Sequence, residues 1–98
     1  MPRPVDPREA AAMQKLWSDL AWEQLQDWSA RDRKTLKRIY ALIQSIDRNG
    51  YAAIGKPGPL KGNLSGWWSV RIDAANRLIF KIDNGQLVIS SCMGHYES

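Results

Sequence analysis

The residues of this chain that could do chemistry on an anionic substrate are few. Arg71 lies in one β-prone stretch and Arg77 opens the next, His95 is the only histidine, and Tyr96 follows it directly. A guanidinium can grip two phosphate oxygens at once, which an ammonium cannot. An imidazole with an ordinary pKa of about 6.5 is the natural proton donor at neutral pH. Upstream, Gly55-Lys56-Pro57-Gly58-Pro59-Leu60-Lys61-Gly62-Asn63-Leu64-Ser65-Gly66-Trp67-Trp68-Ser69 joins a rigid turn, two cations and two aromatics directly to a strand. Each residue also has an ordinary role: a surface histidine, solvated loop lysines, an arginine paired with a carboxylate such as Asp73. The sequence holds no His, Cys, Asp and Glu cluster with metal-ligand spacing, no phosphate-binding glycine loop and no nucleophile-base arrangement, so neither metal nor cofactor is expected.

The rest of the chain has to position these groups. Its 98 residues make one domain, since a second would leave neither half able to bury an adequate core. With 14 Lys and Arg against 10 Asp and Glu, the net charge of +4 favours an anionic partner such as nucleic acid or an acidic protein. Cys92 is the only cysteine, so no intrachain disulfide forms, and a reducing, cytoplasmic setting fits best. No stretch approaches the roughly 20 apolar residues of a spanning helix, and no membrane partner is expected. Residues 1–12 begin with Met1-Pro2-Arg3-Pro4-Val5-Asp6-Pro7 and read as a flexible extension outside a domain over 13–98.

Hydrophobic spacing supplies the elements. Met13 to Trp17 is a short run able to pair as a strand, closed by Ser18, a good helix N-cap. Ala21, Leu25 and Trp28 then recur at helical spacing, with Trp22 adjoining. A second amphipathic helix is predicted from about Asp32 to Arg48, with Leu36, Ile39, Leu42, Ile43 and Ile46 on one side and Arg33, Lys34, Lys37 and Arg38 largely on the other. Asn49-Gly50 stops it. After the Gly/Pro-rich loop the period changes, and Trp67–Asp73, Arg77–Ile82 and Gln86–Cys92 read as strands, the last two joined by an Asn84-Gly85 hairpin. Of Trp67 and Trp68, alternation turns one toward the core, and burial is expected for most tryptophans. Helices before an antiparallel sheet argue for an α+β fold.

Lys56-Pro57-Gly58-Pro59-Leu60, Arg77-Leu78-Ile79-Phe80 and His95-Tyr96 together resemble the signature of the YoeB/Txe toxins, ribosome-dependent mRNA interferases of the RelE-like superfamily. The likeness runs from Leu16-Trp17-Ser18 to His95-Tyr96. It implies two helices packed on a small twisted antiparallel sheet, and a metal-independent endoribonuclease that cleaves mRNA in the ribosomal A site by attack of a ribose 2′-hydroxyl on the adjacent phosphate. By this resemblance Arg77 contacts the phosphate, His95 is the general acid, and Tyr96 packs or stacks beside the substrate, where an aromatic face is worth about 1–3 kcal/mol per base. Arg71 fills the second place of a paired arginine motif whose first place is Val70, and Lys56 and Lys61 touch the RNA backbone.

One position departs. Where the family's Lys-Pro-Glu-Pro-Leu carries its general-base glutamate, this chain has Gly58. Losing a base costs on the order of 10²–10⁴ in rate, so activity is expected to be reduced or abolished unless another acid, such as Glu97, takes over. The variant is either a detoxified form, a naturally attenuated one or an enzyme with a recruited base. Glu97 also stands close enough in sequence to raise the pKa of His95.

The resemblance further implies a YefM/Phd-like antitoxin whose partly disordered tail folds on binding, the ribosome and mRNA as targets, and operator DNA reached through the antitoxin complex. Homodimerisation is left open. Two rival readings stand beside the interferase. One is a catalytically inactive RelE-fold protein that acts by binding antitoxin, operator DNA or ribosome, which Gly58 favours. The other is a ParE-like gyrase poison, against which His95-Tyr96 speaks.

Overall fold

Ser18 decides where the first helix begins. Its Oγ accepts from the Ala21 N–H at 2.9 Å, satisfying one of the donors that a helix N-terminus leaves open. In the computed structural model, which describes residues 13–94, this cap opens α1 over Asp19–Arg31. The extension expected over residues 1–12, and His95, Tyr96, Glu97 and Ser98, lie outside the described residues. Asp32 serves both helices. Its N–H donates to the Trp28 carbonyl at 2.8 Å and closes α1, while its carboxylate accepts from the Thr35 Oγ1–H at 2.7 Å and the Thr35 N–H at 3.1 Å and opens α2, Arg33–Asn49. Those two bonds from Thr35 hold the Asp32 carboxyl below its ordinary pKa of 3.8.

The strands are β1 (Gln14–Trp17), β2 (Gly58–Pro59), β3 (Trp68–Arg71), β4 (Arg77–Asp83) and β5 (Gln86–Ser91), in the order β1-β5-β4-β3-β2. The three later strands match the sequence reading with ends shifted by a residue or two. β2–β3, β3–β4 and β4–β5 are antiparallel as expected, but β1 pairs in parallel with β5, so the sheet is mixed at that edge. β1 reaches β5 only after both helices, and a long crossover is what a parallel pair requires. Asn84 and Gly85 both have positive φ, +51° and +74°, the conformation of a tight hairpin turn. Gly58-Pro59, expected to lie in a turn, forms the other edge strand instead. A proline is tolerated there because the outer side of an edge needs no donor.

Both helices cover one face of the sheet. Ala21, Leu25 and Trp28 from α1 and Ile39, Leu42, Ile43 and Ile46 from α2 meet Val70, Leu78, Phe80, Leu87 and Ile89 in a single core. Each Val, Leu, Ile or Phe among them contributes about 1.5–3 kcal/mol on full burial. Trp28 is buried in the core, and Trp17 and Trp68 are half-buried and pack against it, as expected for most tryptophans, whereas Trp67 is half-buried outside it and Trp22 is 51% exposed. Trp68 is the member of its pair on the core side, stacked on Tyr51 at 4.1 Å, and the Tyr51 hydroxyl accepts from the Ile82 N–H at 3.0 Å. Among the described residues no helix is long and apolar enough to cross a membrane.

Candidate active site

The face of the sheet turned away from the helices carries the cations. Val70 and Leu78 are cross-strand partners and point into the core, so the next pair, Arg71 and Arg77, projects from the opposite face. Two guanidiniums directly across from one another repel. Neither has a carboxylate partner among the described residues, where the ion pairs are Lys15 with Asp47 and Arg31 with Asp27. Asp73, the nearest counter-ion in sequence, is committed to its own turn: its Oδ1 accepts from the Ala75 and Asn76 N–H groups, both at 2.8 Å, and from Asn76 Nδ2 at 3.1 Å. Arg77 instead donates from Nη1 to Ser69 Oγ at 3.3 Å. The remaining guanidinium N–H groups have no acceptor among the described residues and are of the type that grips a phosphate.

A row of residues crosses this face beside the arginines. Gly58 pairs with Ser69, Ser69 with Ile79 and Ile79 with Ser91. Ser69, Ile79 and Ser91 are buried, yet Ile79 stands apart from the helix-facing core. Gly58 has no positive φ, and a Cβ there would meet nothing within 4 Å. A longer side chain would therefore leave β2 on the face shared by Ser69 and Arg77. Glycine is not a requirement of the fold at this point.

Lys56 and Lys61 are both exposed on either side of β2. Lys56 has a φ of +55°, unusual for a residue with a side chain. The turn is held from behind, where Gly55 O accepts from the Arg71 N–H at 3.1 Å and Arg38 Nη2 donates to Arg71 O at 3.3 Å. On the same open face Lys81 Nζ sits 4.6 Å from the Trp67 ring centroid, within cation–π range. The sequence reading did not single out Ser69 and Lys81 as site residues. Lys81 had a usable signal, since positions 77, 79 and 81 alternate onto one face. Ser69 had none beyond its neighbours.

The approach of the chain to His95 depends on an irregularity. Between Ile79 and Phe80 the ladder shifts, so that Phe80 faces Ile89 while Ile79 faces Ser91, leaving Ser90 as the extra residue of a bulge. The bulge turns Ser91 to the open face and Cys92 into the core. There the Cys92 N–H donates to Gln24 Oε1 at 2.7 Å, its carbonyl accepts from Trp28 Nε1 at 2.9 Å, and burial pushes its thiol up to about 12. Gly94 then donates to Asn76 Oδ1 and accepts from the Arg77 N–H, each at 2.9 Å. The residue covalently preceding His95 is thus fastened to the backbone of Arg77. The geometry joins Gly58, Ser69, Arg71 and Arg77 on one face, with Gly94 bonded to the Arg77 backbone and Lys56 and Lys61 beside β2. It can hold a phosphate, but nothing at residue 58 can take a proton. No group of three or more potential metal ligands occurs among the described residues.

Comparison with known proteins places this arrangement. The model for the YoeB-like toxin of bacterial type II toxin–antitoxin systems matches residues 17–96. A toxin YoeB of Streptomyces coelicolor is 49% identical over 75 residues, 76% of this chain and 89% of the relative. Among solved structures, a YoeB/ParE toxin from Agrobacterium tumefaciens superposes with a TM-score of 0.84 at 32% identity, covering 86% of this chain and all of the other. The Staphylococcus aureus YoeB superposes with a TM-score of 0.81 both in a YoeB–YefM complex, at 39% identity over 86% of this chain and 98% of that one, and as a dimer, at 40% over 87% and 99%. Identity at this level, sustained across nearly the whole described fold, makes the chain a member of the YoeB-like toxin family of bacterial type II toxin–antitoxin systems.

Proposed function

We propose that this chain is a ribosome-dependent mRNA interferase whose phosphate-binding half is intact and whose general base is missing. The observation that carries the reading is the register of the open face: Arg71 and Arg77 stand opposite one another, one step from the row that begins at Gly58. In the reaction a ribose 2′-oxygen bonds to the adjacent phosphorus as the bond to the 5′-oxygen breaks. The 2′ proton goes to a base and the leaving oxygen takes one from an acid. Arg77 and Arg71 stabilise the charge on the non-bridging oxygens, Lys56 and Lys61 dock the RNA backbone, and His95 with Tyr96 supplies the proton and a stacking surface.

The partners proposed with this activity are a YefM-like antitoxin, operator DNA through that complex, and a second copy of the chain. The Staphylococcus aureus complex and dimer support the first and the last. Ribosomes as the target imply a cytoplasmic setting. Gly58 favours a second reading, in which the protein occupies the ribosome or its antitoxin without cleaving.

Substitutions at the cations test the assignment in a Gly58→Glu protein, where the base is present. Arg77→Ala should slow single-turnover cleavage of ribosome-bound mRNA more than Lys56→Ala does, because a guanidinium at the reacting phosphate acts in the transition state whereas a loop lysine mainly docks. Equal losses would remove Arg77 from this role.

A further inference from the structure

We propose that Ser69 is a positioning residue, whose hydroxyl holds the Arg77 guanidinium over the row that contains Gly58. The inference deepens the interferase reading, since it concerns how one of that site's cations is aimed.

Three observations leave Arg77 with few places to rest. Arg71 stands directly across the ladder and repels it. Asp73, which would otherwise draw a guanidinium toward the β3–β4 connection, already accepts three bonds on one oxygen. Among the described residues, Ser69 Oγ is the side-chain acceptor that Arg77 finds, at 3.3 Å. Ser69 is itself 4% exposed and lies between Gly58 on β2 and Ile79 on β4. The bond therefore bends the guanidinium away from Arg71 and toward the position of the missing base.

Alanine differs from serine by one oxygen atom, so Ser69→Ala removes the acceptor with the smallest change in packing. The other hydroxyl in the row, Ser91 Oγ, is buried without a partner among the described residues and lies beyond Ile79. It does not share the task. A long cation tethered at one N–H loses rotamers before the substrate arrives, and this pre-organisation is worth most in the transition state.

The test uses full-length protein and two readouts. In free protein, ¹⁵N relaxation of the Arg77 side-chain Nε–H should show a more mobile guanidinium in Ser69→Ala, and an ordered one again in Ser69→Thr, which keeps the hydroxyl. In Gly58→Glu protein, Ser69→Ala should lower the single-turnover rate roughly tenfold to a hundredfold with little change in ribosome affinity. In an Arg77→Ala background the same substitution should add nothing. Should Ser69→Ala melt early, Ser69→Cys takes its place as a side chain of similar size and weaker acceptance. Unchanged Arg77 mobility, or an equal rate loss with and without Arg77, overturns the proposal. Loss of order at Arg77 in a protein that never cleaves would uphold Ser69 and refute the interferase reading instead.

Discussion

At Gly55 a Cβ would come within 2.5 Å of Val70 Cγ2 and 3.0 Å of Leu42 Cδ2, on backbone with a φ of +85°. At Gly58, in the same segment, a Cβ would meet nothing within 4 Å on backbone that any residue can adopt. The first glycine lets the chain turn tightly against α2 and β3 and offer its carbonyl to Arg71. The second has no such task. Packing dictates residue 55, whereas at residue 58 the fold is indifferent and only chemistry can discriminate. The catalytic deficit proposed for 58 would therefore be local, since the backbone there has room for a side chain.

The largest effect expected from this contrast is at Gly55. Gly55→Ala combines a left-handed backbone with overpacking and should cost about 2–5 kcal/mol in urea denaturation. Loss of less than about 1 kcal/mol would mean that the two glycines do not differ as described. A cap gives a reference of intermediate size, since Asp32→Ala removes the acceptor that opens α2 and should lower the melting temperature by roughly 5 °C at neutral pH. The Asp32 carboxyl is held below its ordinary pKa of 3.8, so its stabilisation is present above that pH and disappears as pH falls through the lower folded value. The gap between the two proteins should close in acid, and a gap independent of pH would show that the charge of Asp32 is immaterial. The smallest effect is at Gly58. Gly58→Ala should be neutral or stabilising by about 0.4–1 kcal/mol, because it restricts the unfolded chain without strain in the folded one. A clear destabilisation would return Gly58 to the same class as Gly55.

Local signals made much of this legible in the sequence. Ala21, Leu25 and Trp28, and then Ile39, Leu42, Ile43 and Ile46, fall on buried helical faces at the spacing the sequence shows. The Ser18 cap and the Asn84-Gly85 turn are readable because their geometry depends on a few adjacent residues. What escaped depends on distant partners. Gly58-Pro59 extends as a strand only because β3 lies beside it, and β1 is parallel because β5 arrives after the helices have crossed. The bulge at Ser90 inverts the faces of Ser91 and Cys92, which strict alternation would have assigned the other way. Trp22 occupies a helical position next to the buried stripe, and it stays 51% exposed with its ring edge-on to Trp17 at 6.3 Å. Within the site, the cations could be named from residue type and resemblance, while Ser69 emerges only from the contact it makes with Arg77.

The central claim is that the site lacks a base and little else. Cleavage of ribosome-bound mRNA, followed under single-turnover conditions in the protein as it stands and in Gly58→Glu, tests it most directly. The account predicts a rise of roughly two orders of magnitude or more with glutamate, in line with what a positioned base contributes, and a return toward the parent rate when His95→Gln is added, because acid and base act on the same step. A parent protein that already cleaves as fast as its Gly58→Glu form would contradict it, and would place the base elsewhere, with Glu97 the first residue to replace.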